Sequence, residues 1–171
     1  MKEVPRFNWF GMTSLILFVA GFGFFVLSVL SLGVLPGLRM GHMIIEEAPS
    51  TEVPYTASEE RGRQIFSSEG CDYCHTEQVR FTDADQRRWG APTAAWETKY
   101  DTPQLWGTRR IGPDLARETG VRSDDWQLVH LFDPRLVVPG SVMPRYPWLF
   151  NGSADKPTQA AYDLVAYLNT L

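Results

Sequence analysis

The longest apolar run of the chain extends from Phe10 to Leu35 and contains no charged side chain. As a helix that rises about 1.5 Å per residue, the run would extend roughly 39 Å, which exceeds the ~30 Å hydrocarbon layer of a bilayer. The pattern predicts one tilted transmembrane helix. We expect Trp9 at one interface and the helix-breaking pair Pro36-Gly37 at the other end of the helix.

A cleavable signal peptide is the alternative interpretation of this run. The apolar region of a signal peptide is only about 7–15 residues long. The loose small-x-small triplet Ser31-Leu32-Gly33 lies inside the run and not after it. We therefore expect residues 1–40 to form an uncleaved N-terminal membrane anchor.

Beyond the anchor, two segments have the pattern of amphipathic helices. The first begins where Thr56 is followed three residues later by Glu59, a capping box, and it ends at Gly70, a residue type that commonly terminates helices. The second covers residues 158–168, where apolar residues recur at helical spacing. The sequence therefore predicts an all-α protein.

A polar stretch that contains Pro49 and Pro54 separates the anchor from the first of these helices. Prolines among polar residues are typical of connecting segments. We predict a tether over residues 41–57 and a soluble domain over residues 58–171.

The charge balance argues against one class of partner. With 16 Lys and Arg against 20 Asp and Glu, the net charge is −4 and the pI is about 5.4. A nucleic-acid-binding protein would show a basic face, so no nucleic acid is expected as a partner. An acidic surface can steer a basic soluble partner at low ionic strength, although it is also typical of ordinary soluble domains.

The two cysteines of the chain, Cys71 and Cys74, are followed directly by His75. Cys-x-x-Cys-His is the attachment sequence of a c-type haem. Two thiols at this spacing reach the two vinyl groups of one haem, while the adjacent imidazole comes beneath the iron. The motif predicts one covalently bound haem c with His75 as the proximal iron ligand.

Three other interpretations of the motif fit less well. A structural zinc site needs four nitrogen or sulfur ligands, and the remaining histidines, His42 and His130, are far away in sequence. A thioredoxin-like redox pair requires a βαβ pattern, which the flanking segments lack. A disulfide would close a very small loop and would leave His75 without a role.

An electron-carrying haem also needs a sixth iron ligand, and a thioether raises its potential relative to imidazole. Met143, which opens a Met-Pro-x-Tyr segment ending at Tyr146, is the best candidate. Methionine is often only a core-filling residue. The competing ligands are Met12, Met40, Met43 and His130. We expect His130 to pack or to form a hydrogen bond instead of binding iron.

The haem motif and its two flanking helices together resemble class I cytochromes c. In that fold the helix before the motif packs against the closing helix, and a Gly-Pro-x-Leu segment places a proline carbonyl against the proximal histidine. The matching segment here is Gly112-Pro113-Asp114-Leu115. The resemblance implies a hydrogen bond from His75 to the Pro113 carbonyl, which would fix the imidazole ring and strengthen it as a ligand.

Resemblance to c-type cytochromes also implies an orientation, because haem is joined to such motifs on the outer side of an energy-transducing membrane. Lys2 and Arg6 precede the span, whereas Arg39 after it is soon followed by acidic residues. This slight bias agrees with a cytoplasmic N-terminus. We expect a single-pass protein of the bacterial inner membrane, with residues from about Met40 onward in the periplasm.

Residues 81–110 form an aromatic segment that is longer than a minimal monohaem cytochrome requires between the proximal histidine and the proline loop. The segment contains Trp89, Trp96, Tyr100 and Trp106. Aromatic residues together with arginine are concentrated at protein interfaces. We predict that this segment is an insertion in the cytochrome domain.

Several ordered blocks of the chain resemble the membrane-anchored monohaem second subunit of cbb(3)-type cytochrome c oxidases, the C-family haem-copper oxidases. The resemblance covers roughly residues 60–150. The blocks are residues 100–110 running into residues 112–117, Trp126 with residues 130–135, and residues 143–149.

This second resemblance implies an electron-transfer subunit without substrate chemistry of its own. The subunit would take electrons on the periplasmic side from another cytochrome c subunit or a soluble cytochrome c. It would pass them to the low-spin haem of a large integral haem-copper catalytic subunit in aerobic respiration, with membrane lipid around its anchor. Arg109 and Arg110 would bind haem propionates, since a guanidinium matches a carboxylate, unless they form a solvated pair. Tyr146 would lie beside the haem.

Other membrane complexes use similar modules. A nitric oxide reductase, a quinol-oxidising complex or a photosynthetic reaction centre are alternative hosts for an electron-transfer cytochrome of this kind. A peroxidase is a different class of function, and it would keep the sixth iron position open and usually need more than one haem. This chain has one Cys-x-x-Cys-His motif and a candidate sixth ligand, which favours electron transfer.

Overall fold

The computed structural model describes residues 8–50 and 53–171, and the regular structure in these ranges is helical. The helices are α1 (Trp9–Ser28), a π-helical turn (Val29–Val34), α2 (Leu35–Glu47), α3 (Ala57–Ser68), α4 (Asp83–Trp89), α5 (Asp124–Phe132) and α6 (Gln159–Leu168). Short 3-10 turns lie at Cys71–Tyr73, Ala95–Thr98, Pro134–Leu136 and Pro147–Leu149. Two isolated bridges are the closest approach to a sheet in these ranges, so the predicted all-α class is confirmed.

The chain divides into two compact units, one ending at Ala48 and one beginning at Pro49. In the first unit, a continuous helix runs from Trp9 to Glu47. It begins where the Asn8 side chain accepts a hydrogen bond from the Gly11 amide at 3.0 Å, which satisfies one free donor of the first turn. No residue of α1 is buried, and the helix is long and apolar enough to cross a membrane, in agreement with the predicted span.

Pro36 and Gly37 do not end this helix, so the predicted helix end is wrong. A proline lacks the backbone donor, and its ring collides with the carbonyl four residues earlier, here that of Leu32. The turn just before Pro36, Val29–Val34, is π-helical, and such a widened turn relieves the collision without breaking the helix. The helix therefore continues through α2 to Glu47 and includes the first residues of the predicted tether.

The second unit contains α3 with the predicted capping box in place. The Glu59 amide donates to Thr56 Oγ1 at 3.3 Å, and the Thr56 amide donates to Glu59 Oε2 at 2.6 Å. After Ser68 the chain turns at Gly70, whose φ of 72° lies in the left-handed region that glycine adopts without strain. The end of α3 therefore fixes where Cys71 begins the haem motif.

The predicted pairing of α3 with the closing helix α6 is confirmed, and the two helices cross at Gly62. A Cβ atom at Gly62 would lie 1.9 Å from the carbonyl oxygen of Asp163 and 2.8 Å from Cβ of Tyr167, so only glycine fits. Beside the crossing, the Asp163 carboxylate accepts hydrogen bonds from Arg61 at 2.7 Å and from Ser58 at 2.5 Å. The apolar faces of the two helices form the centre of the core.

The aromatic segment packs onto the domain, where Trp89, Trp96, Tyr100 and Trp106 are all partly buried, whereas Phe81 at its start is exposed. A buried ion pair fixes it to α3, because Arg63 Nε lies 2.5 Å from Asp101 Oδ1. A second pair joins its two ends, because Arg110 Nη1 lies 2.7 Å from Asp85 Oδ2. These contacts make the segment part of the packed domain. That the segment is an insertion remains a prediction.

Candidate haem site

A cavity of about 750 Å³ opens among α3, α4, α5, α6 and three connecting segments of the domain. Its volume falls in the range of roughly 300–1,000 Å³ that is typical of ligand and cofactor sites. The cavity is lined by Cys71, Cys74, His75, Pro113, Met143 and Tyr146. The fold thus brings six of the residues predicted from the sequence to one site, although they lie in three separate parts of the chain.

Cys71 and Cys74 are free thiols on the cavity wall. The Cys71 carbonyl accepts hydrogen bonds from the amides of Cys74 at 3.1 Å and His75 at 2.9 Å. Burial raises the pKa of the Cys71 thiol to about 12. Local backbone hydrogen bonds therefore hold two thiols and one imidazole at the spacing that covalent haem attachment requires.

A backbone carbonyl orients His75. Its Nδ1 lies 2.9 Å from the carbonyl oxygen of Pro113, the contact implied by the class I resemblance. Because a carbonyl only accepts, Nδ1 carries the proton and Nε2 keeps its lone pair for a metal. Burial lowers the pKa of His75, which favours the neutral ring that can bind iron.

Two glycines let the backbone approach the haem motif closely. A Cβ atom at Gly112 would lie 2.3 Å from Cε1 of His75. At Gly107, where φ is 63°, a Cβ atom would lie 2.4 Å from the His75 carbonyl oxygen. Neither position has room for a side chain, so both glycines are required for the imidazole to occupy its position.

Arg110 belongs to the scaffold behind His75. Its guanidinium pairs with Asp85 at 2.7 Å and with Asp114 at 3.0 Å, and it donates to Thr76 Oγ1 at 2.7 Å. The same guanidinium lies over the Trp89 ring, 4.2 Å from its centroid. This network joins the residues after the haem motif to the proline loop.

Arg109 and Arg110 do not line the cavity, contrary to the prediction that they bind propionates. Arg109 is exposed, and the donors of Arg110 are used by buried carboxylates. The arginines that do line the cavity are Arg88, Arg117 and Arg122. Sequence reasoning missed them because they reach the cavity only through tertiary packing, and no local motif marks them.

The three wall arginines differ in their partners. Arg117 is paired with Glu97 at 2.5 Å. Arg88 lies over the ring of its neighbour Trp89, 4.6 Å from the centroid, and Arg122 lies 4.9 Å from the centroid of Trp126. Within residues 8–50 and 53–171, neither Arg88 nor Arg122 forms an ion pair with a carboxylate.

A second part of the wall is formed by α5 and residues 138–146. Met143 is partly buried against the core, and its amide donates to Ser141 Oγ at 3.2 Å. The Tyr146 amide donates to the Leu131 carbonyl at 3.0 Å, which ties this segment to α5. Burial raises the pKa of Tyr146 to about 12, so its hydroxyl stays protonated at neutral pH.

His130, which the sequence predicts to pack or to form a hydrogen bond instead of binding iron, also lines the cavity. Its ring is stacked on that of Trp126, with centroids 4.6 Å apart and planes 13° apart. Its Nδ1 is buried and lacks a hydrogen-bond partner in the part of the chain that the structure describes. Such an atom costs stability until a partner is supplied.

The residues present fit a haem. Thiols and an imidazole stand at the attachment spacing, and Arg88 and Arg122 can meet carboxylates. Apolar side chains line much of the remaining surface, among them Phe66, Leu115, Leu131, Leu164 and Leu168. Among the described residues, no three His, Cys, Asp or Glu side chains are grouped to hold a bare metal ion.

Comparison with known proteins agrees with this site. The family described as cytochrome C oxidase, mono-heme subunit/FixO matches residues 8–171, a range that contains both the long helix and the cavity. No curated protein was found to match the chain.

Proposed function

Because the chain belongs to the family of mono-haem subunits of cytochrome c oxidases, we propose that it binds one haem c covalently and delivers electrons to the catalytic subunit of a cbb(3)-type oxidase. The observation that carries this proposal is the shared cavity. It brings Cys71, Cys74 and His75 to one wall and places Met143 on the same site.

Each of these side chains has one task in the proposal. Cys71 and Cys74 form the thioether bonds, while His75 and Met143 bind the iron. The haem supplies a one-electron couple between ferric and ferrous iron. The Pro113 carbonyl keeps the imidazole in one orientation, so the ligand does not have to reorganise when the charge of the site changes.

A second protein ligand separates an electron carrier from a haem enzyme. Enzymes and oxygen carriers keep one axial position available, whereas methionine and histidine together give the high-potential sites of cytochromes c. Met143 is the thioether that the cavity offers for the sixth position. Oxygen reduction would then belong to the catalytic subunit, and this chain would need no acid, base or nucleophile of its own.

Arg88 and Arg122 are the proposed partners of the haem propionates. A guanidinium forms paired hydrogen bonds with a carboxylate, and both residues lie on the wall without an ion-pair partner among the described residues. Their stacking on Trp89 and Trp126 restricts the side chains before haem binds. The proposal therefore assigns the propionates to Arg88 and Arg122 instead of Arg109 and Arg110.

We also propose that the N-terminal helix holds the domain on the periplasmic face of the bacterial inner membrane, with a periplasmic cytochrome c or another cytochrome c subunit as electron donor. Lys2 and Arg6, which favour a cytoplasmic N-terminus, lie outside the described residues. Protease added to intact spheroplasts should remove the chain beyond Ala48 and leave the N-terminus protected. A soluble, haem-loaded product starting near Met40 would instead identify the segment as a cleaved signal.

The proposed attachment is tested by replacing both thiols, Cys71→Ala with Cys74→Ala, in the full chain. Covalent haem should disappear from a denaturing gel stained for haem peroxidase activity, and the oxidase complex should lose oxygen uptake supported by a cytochrome c donor. The matched control is Met40→Leu, which changes a sulfur-bearing residue in the N-terminal helix, and it should keep the stain. Persistence of the stain in the double variant would refute the haem c assignment.

A further inference from the structure

His130 is a polar residue that lines the cavity, and the proposed function assigns no role to it. It lies on α5, its ring stacked on Trp126 at 4.6 Å, so packing fixes the direction of its nitrogens. Its Nδ1 is buried and unpartnered among the described residues. Buried polar atoms of side chains are paired in the large majority of cases, and the missing partner therefore calls for an explanation.

The neighbours of His130 limit what that partner can be. The Leu131 carbonyl, one residue after His130, accepts a hydrogen bond from the Tyr146 amide at 3.0 Å, which lays the Met143 segment alongside α5. The side chains of His130 and Met143 both line the cavity. Both residues therefore belong to the part of the wall that α5 and residues 138–146 form.

A neutral imidazole carries one N–H that can donate. We assign this proton to Nδ1 of His130, because Nδ1 is the ring nitrogen that is buried without a partner among the described residues.

We propose that His130 Nδ1–H donates a hydrogen bond to the thioether sulfur of Met143 when that sulfur is bound to iron. The inference rests on the proposed function, because it requires both a haem in the cavity and Met143 as the sixth ligand. A thioether sulfur that binds iron through one lone pair keeps a second lone pair as a weak acceptor. Iron binding would thus fix the acceptor that the folded chain alone does not supply.

The hydrogen bond has a defined effect on the redox couple. Donation to the sulfur withdraws electron density from it, so the thioether becomes a weaker donor to iron. Ferric iron depends on that donation more than ferrous iron does, and the bond therefore favours the reduced state. His130 is in this sense a positioning residue, which raises the potential of the site through Met143.

The first test is the midpoint potential of the haem-loaded full chain with His130→Phe, which keeps an aromatic ring for stacking and removes the donor. We expect the equilibrium constant for reduction to fall three- to tenfold, roughly 28–59 mV for one electron, with covalent haem and the near-red sulfur-to-iron band retained. His130→Asn, which returns an N–H near the same point, should recover part of the loss. Phe132→Leu loosens α5 against Phe150 and should leave the potential unchanged.

The second test repeats the substitution in a Met143→His background. An axial imidazole offers no free acceptor, so His130→Phe should then have no further effect on the potential. A shift that persists in this background would mean that His130 bonds another group, such as a propionate, and would overturn the proposal, as would an unchanged potential in the single variant. If His130→Phe fails to fold, His130→Leu against His130→Asn gives the same comparison.

The failure of this inference is distinguishable from failure of the proposed function. Absence of covalent haem, or of the near-red band, in the wild-type chain would refute the function itself. A wild-type chain with both features and a potential that does not respond to His130 would refute only the role of His130.

Discussion

The two sides of the cavity differ in how firmly the polypeptide fixes them. On the His75 side, the proline loop is bonded directly to the haem motif and to the residues that follow it. The bonds are Gly112 amide to Cys74 carbonyl at 2.9 Å, Leu115 amide to Thr76 carbonyl at 2.7 Å, and His75 Nδ1 to Pro113 carbonyl at 2.9 Å. On the Met143 side, Met143 is held by its bond to Ser141 and by the contact of the following residues with α5.

This difference predicts unequal behaviour of the two iron ligands. The imidazole is held by contacts with the chain itself, namely its hydrogen bond to the Pro113 carbonyl and its close glycine neighbours. The thioether depends in addition on its bond to iron. Changes on the His75 side should therefore cost haem binding and stability, whereas changes on the Met143 side should alter the spectrum and potential of a haem that stays attached.

The largest expected effect comes from Gly112→Ala. The new Cβ atom would lie 2.3 Å from Cε1 of His75, so the imidazole ring would have to move away from its position. We expect most of the low-spin haem to be lost, measured as haem absorbance per chain. Gly41→Ala in the N-terminal helix is the matched control, because no atom lies within 4 Å of its Cβ position and it does not line the cavity, and its haem content should be normal. A native spectrum in Gly112→Ala would contradict the proposed role of Gly112 in positioning the His75 imidazole.

The next effect is the loss of stability in Asp114→Asn. The Asp114 side chain is fully buried and pairs with Arg110 at 3.0 Å, and removing one partner of a buried ion pair costs about 3–5 kcal/mol. We expect this loss in the free energy of unfolding, measured by urea denaturation of the haem-loaded chain in detergent.

A carboxylate on the Met143 side provides the comparison for Asp114. Asp133 pairs with Arg145 at 3.2 Å and with Arg135 at 3.8 Å, and both arginine side chains are about half exposed. Exposed pairs contribute about 0–1 kcal/mol, so Asp133→Asn should change the unfolding free energy by no more than that. Equal losses of unfolding free energy in Asp114→Asn and Asp133→Asn would contradict the proposed difference between the two sides of the cavity.

The stability of the His75 side should depend on pH through Asp85. Burial alone would raise the pKa of Asp85, but the Arg110 guanidinium and the Arg80 amide together hold that pKa below its ordinary value. The stability that follows from a lowered pKa is present above the unfolded value of about 3.9 and is lost as the pH falls through the folded value. Asp85→Asn should therefore flatten the pH dependence of the unfolding free energy below about pH 4. An unchanged acid slope would contradict this role of Asp85.

The smallest expected effect is that of Ser141→Ala, which removes the acceptor for the Met143 amide at 3.2 Å. A neutral hydrogen bond contributes about 0.5–1.5 kcal/mol, so external imidazole should displace Met143 from ferric iron a few-fold more readily. Ser68→Ala removes a hydroxyl at the exposed end of α3 and serves as the control. If Ser141→Ala lost more covalent haem than thioether ligation, the expected difference between the two sides of the cavity would be wrong.

The sequence predicted the parts of the molecule that depend on neighbouring residues. The Thr56–Glu59 capping box, the turn at Gly70, the closing helix and the attachment turn at Cys71 are local patterns, and each is present. The contact of His75 with Pro113 joins distant residues, and it was predicted only because the segment around Pro113 resembles a known fold.

The parts that sequence reasoning missed depend on tertiary packing. Arg110 stands beside the proline loop, yet its position is set by Asp85, a residue of the aromatic segment that no local pattern connects to it. Arg88 and Arg122 reach the cavity from α4 and from the loop before α5 in the same way. The helix through Pro36 continues because of the π-helical turn before it, and a proline in a sequence does not reveal whether such a turn precedes it.

The proposed haem site is tested most directly by the near-red absorption of the ferric, haem-loaded chain before and after Met143→His. The wild-type chain should show the sulfur-to-iron charge-transfer band of a low-spin haem. Met143→His should keep the covalent haem low-spin, lose the band and lower the potential, while His130→Ala should keep the band. A wild-type chain without the band, or a band that survives Met143→His and disappears in His130→Ala, would contradict the assignment of Met143 as the sixth ligand.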